Sequence, residues 1–239
     1  MDGRTRRHLE MGARADEFSA AHPDSEAGSA LSAAKLTQLV ERGRGLAATQ
    51  REGLIDVAAA TVEKRAVRRA MMAGPVAHLA QVGTLAAVDD HELAKAFIFK
   101  PSTGSYLAFR TAAGAMAAAA HSNKELLVKH GLSESVLDLL VQLLDKFDAA
   151  VRLGTNGRAA HKAATKQLDA VTLEIRRIVR VMDARNRLRF QNDGQLLEEW
   201  ISRSTVVREP VRVSTSKDGV TSFGDGPTPA AGDDVRPAA

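Results

Sequence analysis

Apolar residues recur at helical spacing over stretches far longer than an average helix. One stretch, 30–73, carries Leu36, Leu39, Val40, Leu46, Leu54, Val57, Val62, Val67 and Met71 at intervals close to 3.6. A second carries Leu168, Val171, Ile175, Ile178 and Met182 at the 3-4-3-4 spacing of a packing seam. Long amphipathic helices bury such stripes against one another. The pattern predicts an all-α bundle of long antiparallel helices joined by short turns.

Composition supports this fold class. Aromatic residues are only 4% of the 239, so Leu, Val, Ile, Met and Ala must build the core. There is no cysteine, which excludes disulfides, thiolate catalysis and cysteine-ligated zinc or iron–sulfur sites. No secretory leader or membrane-spanning stretch is recognisable, and we expect a cytoplasmic protein.

Three regions follow from local signals. We expect a short N-terminal helix in 1–23, a helical bundle in 24–207 and a disordered Gly/Pro/Ser-rich tail in 208–239. Inside the bundle, glycines predict a kink in the 30–73 helix near 43–53 and leave its continuity open. The string "GTNG" at 154–157 predicts a tight turn before a helix over 158–190.

Further boundaries come from capping signals. Ser105 and Asp193 are expected N-caps, the first of a helix over 105–130. In "KHGLSESVLDLL", Gly131 suits the position after a helix and Ser133 the next N-cap. Leu132 and Leu137 have the spacing of a hydrophobic staple. This turn predicts two antiparallel neighbouring helices.

The segment "RRIVRVMDARNRLRF" at 176–190 contains six arginines. On a helix, Arg176, Arg180 and Arg187 fall opposite the apolar seam, as a solvated face does. Together with Arg177 they are the candidate polyanion-binding residues. Arg185 and Arg189 instead occupy the next two positions of the seam itself. Either the seam ends at Met182 or these arginines lie where the bundle opens to water, and pairing with Asp183, Asp193, Glu198 or Glu199 is a further alternative.

Signatures of catalysis and of metal binding are weak. "GRGLAA" at 43–48 fits a dinucleotide-binding pattern but lacks the preceding strand that this motif needs. The seven histidines have no i, i+4 pair and no Glu-x-x-His, which argues against a di-iron carboxylate bundle. "DDHE" at 89–92 points its side chains in different directions and reads as an acidic first turn. Ser105, Tyr106 and His121 have no assignable catalytic partner. We expect no enzyme activity, no cofactor and no metal site.

"GAMAAAAH" at 114–121 offers a different feature. Gly114 and Ala118 form a small-xxx-small pair that would let another helix approach closely. This pair is interpreted as core packing within the monomer, with a self-association surface as the alternative.

Three strings carry a resemblance over most of residues 5–205: "EMGARADEFSAAHPD" at 10–24, "ELLVKHGLSESVLDLL" at 125–140 and "LLEEW" at 196–200. The chain resembles a group of uncharacterised bacterial helical proteins without an assigned activity. The resemblance implies an all-helical bundle and supplies no site residues.

The leading functional hypothesis is a non-enzymatic interaction or assembly protein that uses helix faces to bind itself or a protein partner. One alternative is a nucleic-acid-associated protein. It would combine two sets of arginines, which are Arg176, Arg177, Arg180 and Arg187 on one helix and Arg65, Arg68 and Arg69 on another. Another is a ligand carrier or enzyme with a cavity between helices. No membrane association is expected.

Overall fold

The computed structural model describes residues 1–88, 91–100 and 105–207, apart from the side chain of His91. Residues Met1–Val207 form one compact unit. All regular secondary structure in this described part is α-helical, as predicted. The helices are α1 (Gly3–Ala21), α2 (Ala27–Ala73), α3 (Pro75–Ala86), α4 (His91–Ala96), α5 (Tyr106–Ser122), α6 (Lys124–Lys129), α7 (Glu134–Arg189) and α8 (Gly194–Ser204). The tail predicted for 208–239 lies outside the described residues.

Two long antiparallel helices organise the fold. α2 has 47 residues and α7 has 56, which gives lengths of about 70 and 84 Å at 1.5 Å per residue. α2 is continuous through 43–53, where the sequence had left its continuity open. The predicted turn at 154–157 is wrong because "GTNG" lies inside α7.

Glycines bring the middles of α2 and α7 together. A Cβ built on Gly53 would lie 2.6 Å from the carbonyl oxygen of Gly157, and a Cβ on Gly157 would lie 2.8 Å from the carbonyl oxygen of Gly53. A Cβ on Gly154 would lie 3.1 Å from the Cβ of Ala60. Because glycine has no side chain, the two backbones can approach closely at these positions. The packing that this allows offsets the poor helix propensity of glycine.

Apolar cores lie at both ends of this helix pair. The first, which we call the α1–α8 core, joins α1 and α8 to the start of α2 and the end of α7; its largest members include Phe18, Leu36, Ile175, Met182, Phe190 and Trp200. The second, the α3–α6 core, joins the helices α3, α4, α5 and α6 to the end of α2 and the start of α7. Its members include Met71, Leu79, Phe97, Phe109, Met116, Leu140 and Phe147. Between them lies the two-helix section, where the buried residues include Gln50, Gly53, Ala60, Gly154, Gly157 and Ala164. These belong to neither core.

A polar cluster fixes the register of the two-helix section. The Gln50 side chain is 4% exposed, and its Nε2 donates to Thr165 Oγ1 at 2.7 Å. The Gln50 carbonyl oxygen lies 3.1 Å from His161 Nδ1. A buried amide without such partners would be costly, so these bonds select one alignment of α2 against α7.

The turn from α6 to α7 follows the predicted chemistry. Gly131 has φ of 94°, and the amides of Gly131 and Leu132 donate to the carbonyls of Val128 and Leu127 at 3.0 and 2.9 Å. This is a Schellman motif, which a side chain at the glycine would strain. Leu132 and Leu137 are both buried. Ser133 occupies the N-cap position, but its hydroxyl bonds Ser135 Oγ instead of a backbone amide.

One predicted helix is shorter than expected. The helix predicted for 105–130 is divided at Asn123, whose Nδ2 donates to the Ala119 carbonyl at 2.9 Å and satisfies the end of α5. The Ser105 hydroxyl accepts from the Ala108 amide at 3.2 Å, as its predicted N-cap role requires. α3 ends at Ala86 and α4 begins at His91, with Asp89 and Asp90 outside the described residues.

An ion pair fastens α5 to α7. Arg110 Nη2 and Nε lie 2.8 and 2.9 Å from the two carboxylate oxygens of Asp148. The hydrogen bond from Arg110 is the main reason that the pKa of Asp148 lies below its usual value of 3.8. Both side chains are about one third exposed, so solvent weakens the pair, and we expect it to contribute at most about 1 kcal/mol.

We expect Asp148→Asn to lower the free energy of unfolding at neutral pH by about 0.5–1 kcal/mol. Because folding lowers this pKa, the carboxylate contributes fully above about pH 4 and loses its contribution as pH falls through the folded-state pKa. The variant should therefore lose less stability in acid than the wild type, as measured by urea unfolding at several pH values. Asp138→Asn, at an exposed position of α7, is the control. An unchanged acid dependence in Asp148→Asn would contradict the assignment.

Candidate functional site

The arginine face of α7 lies beside the α1–α8 core. Ile175, Val179 and Met182 are buried there, while Arg177, Arg180 and Arg187 are exposed and Arg176 is half-buried. Val179 takes the buried position that the sequence had given to Ile178, which is half-buried. Helical geometry therefore places most of this face in solvent.

A basic cleft lies where this face meets α1. Its lining includes His8, Arg176, Arg180 and Arg187, and its volume is about 300 Å³. Burial, reinforced by the charge of Arg176, lowers the pKa of His8 below its usual value of 6.5, so the imidazole is neutral at neutral pH. Arg187 Nε pairs with Asp183 Oδ2 at 2.9 Å, which offsets one positive charge.

The two groups of arginines in the nucleic-acid hypothesis lie at opposite ends of the α2–α7 pair. Arg68 packs over the ring of Phe109, 5.0 Å from its centroid, in the α3–α6 core. Arg176 adjoins Ile175 in the α1–α8 core. Arg65, Arg68 and Arg69 therefore form no single basic surface with the arginines of 176–187.

Arg185 and Arg189 lie against the α1–α2 connection. Arg189 donates to the carbonyls of His22 and Pro23 at 3.1 and 3.0 Å, and lies 3.9 Å from Asp24. Arg185 Nη1 lies 3.4 Å from Ser32 Oγ. The alternative of pairing with Asp183, Asp193, Glu198 or Glu199 is wrong, because Arg189 faces the loop between α1 and α2 and Arg185 faces Ser32 in α2. Both arginines are exposed. Asp183 accepts instead from Trp200 Nε1 at 2.9 Å and from Arg187.

A small cavity opens beside these two arginines. It lies between the end of α1, the loop that follows, the start of α2 and the end of α7, and we call it the loop cavity. Its volume is about 160 Å³, and Phe18, Ala33, Met182 and Arg185 are among its lining residues. The only sequence feature that pointed to this cavity was the pair of arginines, Arg185 and Arg189, on an apolar seam line.

Gly114 and Ala118 are not a core pair. Ala118 is exposed and Gly114 half-buried, while α5 buries Phe109, Ala113 and Met116 among others. The interpretation as core packing within the monomer is wrong because the buried stripe of α5 runs along a different face. Close helix packing occurs instead at Gly53 and Gly157.

In the part of the chain that the structure describes, the remaining motifs show no catalytic arrangement. "GRGLAA" lies wholly inside α2, where Gly43 faces Leu9, so the strand–turn–helix context is absent there. The Tyr106 ring receives the Lys64 ammonium at 4.7 Å, and His121 is exposed. Across the described residues no group of three or more His, Cys, Asp or Glu side chains could hold a metal ion. None of the described helices is both long and apolar enough to cross a membrane.

A second apolar stripe runs along α2, on the side away from α7. It consists of Ala48, Ile55, Ala59, Val62 and Ala66, and we call it the α2 outer stripe. Ile55 and Val62 are 57% and 66% exposed, although both are large apolar side chains in the middle of a long helix. The intervals of 7, 4, 3 and 4 residues are those of a coiled-coil seam. Helical spacing alone had placed Val62 in the stripe that faces α7, and the exposure of its side chain contradicts that placement.

No protein-family model, no curated protein and no solved structure matches this chain.

Proposed function

We propose that this chain is a non-enzymatic assembly protein whose copies pair through the α2 outer stripe. The observation that carries the proposal is the exposure of Ile55 and Val62 on the two-helix section. Between the two cores, the buried residues that the structure describes belong to α2 and α7. On the outer side of α2 there, Ile55, Ala59 and Val62 are exposed. Exposed apolar residues at regular helical spacing are typical of an interaction surface, whereas scattered ones are not.

Charges beside the stripe favour a second copy in parallel orientation. With Ala48, Ile55 and Val62 at d positions, and Glu52, Ala59 and Ala66 at a positions, Arg51 and Arg65 occupy g while Asp56 and Glu63 occupy e. Parallel pairing brings g of one helix to e of the other, so Arg51 faces Asp56 of the second copy. Antiparallel pairing would bring like charges together. The stripe is therefore complementary to itself in one orientation.

One charged residue interrupts the seam between Ala48 and Ile55. Glu52 occupies an a position. In a parallel pair, each a side chain packs between four residues of the other helix, and one of these is the g residue that immediately precedes the facing a residue. That g residue is Arg51 of the second copy. Parallel pairing also places the two Glu52 carboxylates opposite each other, so the Arg51 guanidinium offsets a like-charge repulsion, and the polar position favours one register at some cost in stability.

Ile55→Glu combined with Val62→Glu tests the proposal. We expect the double variant to keep its helical content and to elute as a single chain in size-exclusion chromatography with light scattering, because four like charges would face one another in the pair. Leu107→Glu, at a 76% exposed position of α5, is the matched control and should assemble like the wild type. Equal assembly of the double variant and the wild type would overturn the proposal.

A cysteine at Ala48 tests the orientation. The chain contains no cysteine, so Ala48→Cys reports on one position only. Parallel pairing places the two introduced thiols opposite each other, and we expect a disulfide-linked dimer under mild oxidation. Antiparallel pairing about the middle of the stripe would place each thiol opposite Ala66 of the second copy, and no cross-link would form.

The alternative, a nucleic-acid-associated protein, would rest on Arg176, Arg177 and Arg180. No ion pair joins these three to other side chains in the described part of the chain, whereas Arg187 is paired with Asp183. No geometry for reading bases accompanies them, so the assembly function is the better supported conclusion.

A further inference from the structure

The loop cavity combines an apolar interior with a charged rim. Phe18, Ala33 and Met182 supply apolar surface from three different helices. Arg185 and Asn186 line it from the end of α7. A concave apolar surface with few convergent polar groups is the usual make-up of a small-molecule site.

Most polar groups around the cavity are already engaged. Arg189 donates to two loop carbonyls. The Asp24 carboxylate accepts from the Glu26 amide at 3.1 Å and lies 3.9 Å from Arg189. The Glu26 amide and the Ser29 hydroxyl hold the pKa of Asp24 below its usual range, so this carboxylate is charged at neutral pH.

Arg185 is the exception. Its one hydrogen bond among the described residues is the 3.4 Å contact with Ser32 Oγ, near the limit of such a bond. A guanidinium has five N–H donors, so Arg185 keeps donors available at the cavity. Its Nη2 lies 2.7 Å from where a Cβ of Gly28 would be, so the glycine leaves room for the guanidinium against the first turn of α2.

Charge and size together define the ligand. Two arginines and one aspartate leave the cavity with a net charge of +1, which a monoanion neutralises. A volume of about 160 Å³ is close to the roughly 150 Å³ cavity that accommodates benzene. It is below the range of drug-sized pockets.

We propose that the loop cavity binds a small monocarboxylate, with its apolar body against Phe18 and Met182 and its carboxylate on the guanidinium of Arg185. An arginine holds a carboxylate through two parallel N–H···O bonds, which neither an alcohol nor an amide of the same shape can reproduce. The proposal is independent of pairing through α2, because the cavity and the α2 outer stripe share no residue.

The test is calorimetric titration of the full-length chain with benzoate, and with benzyl alcohol as a neutral probe of similar size. We expect saturable binding of benzoate to one site and binding of benzyl alcohol weaker by about tenfold or more, as the loss of a charged hydrogen bond requires. Absence of saturable benzoate binding, or equal binding of the two probes, would overturn the proposal.

Two arginine variants locate the site. Arg185→Gln should weaken benzoate binding by about tenfold or more and leave binding of benzyl alcohol unchanged. Arg187→Gln removes a nearby charge on α7 that does not line the cavity, and should bind benzoate like the wild type. Equal losses in the two variants would show nonspecific attraction to positive charge and would refute the site. Circular dichroism confirms that each variant is folded.

Discussion

Gly53→Ala destabilises the protein, although alanine is the better helix former. The new Cβ would lie 2.6 Å from the Gly157 carbonyl oxygen and 2.9 Å from the His161 amide nitrogen, both of which are backbone atoms. Backbone atoms cannot adopt another rotamer as a flexible side chain can, so α2 and α7 must separate locally. Overpacking of this kind costs about 1–3 kcal/mol, which exceeds the gain of about 1 kcal/mol in helix propensity.

Gly45→Ala is the matched control on the same helix. Nothing lies within 4 Å of a Cβ at Gly45, so the substitution should stabilise the protein by up to about 1 kcal/mol. The two variants therefore change stability in opposite directions, and chemical denaturation followed by circular dichroism measures both. Stabilisation by both substitutions would mean that α2 and α7 are not in contact at Gly53.

Trp200→Ala should release α8 from the bundle. The Trp200 side chain is fully buried, its ring centroid lies 5.3 Å from that of Phe18, and its Nε1 donates to Asp183. Loss of a buried tryptophan costs about 3–5 kcal/mol. We expect a reduction of this size in the free energy of unfolding and rapid amide exchange across Gly194–Ser204.

Trp200→Phe separates the two contributions of this residue. Phenylalanine keeps much of the apolar contact with Phe18 but cannot donate to Asp183, so its loss should be smaller than that of alanine. Leu188→Ala, at a position 69% exposed, should leave stability nearly unchanged. Slow amide exchange in α8 of Trp200→Ala would show that another contact holds the helix.

Local sequence chemistry was sufficient to predict much of the fold. The alternation around Ile175 identified the buried side of α7, and the Asp193 carboxylate accepts from the Leu196 amide at 3.1 Å, as its predicted N-cap role requires. The turn at Gly131 was equally predictable, because one glycine with positive φ and two leucines define it. Each of these signals lies within a few residues of the feature that it specifies.

The glycines at 154–157 were misread because their effect is not local. Propensity alone favours a turn at "GTNG", yet Gly157 faces Gly53, more than one hundred positions away in the chain. The contact becomes visible only when α2 and α7 are aligned. The same argument explains the missed partners of Arg185 and Arg189, since the loop after α1 is distant in sequence and adjacent in space.

The candidate sites were predictable to different degrees. The sequence showed that Arg185 lies on an apolar seam line, which is an unusual position for a charged residue. The loop cavity itself could not be predicted, because it forms only where the α1–α2 connection comes close to Met182. The α2 outer stripe was predictable from the sequence, because Ile55 and Val62 lie on a different side of the helix from the apolar residues that face α7. Its exposure followed only from the distribution of the other helices at the two ends of the α2–α7 pair.

Sedimentation equilibrium of the full-length wild type, over a wide range of protein concentration, tests pairing through α2 most directly. We predict a mass that rises with concentration to twice that of a single chain, and a single-chain mass for Ile55→Glu combined with Val62→Glu under the same conditions. A wild type that keeps the single-chain mass up to millimolar concentration would contradict the account.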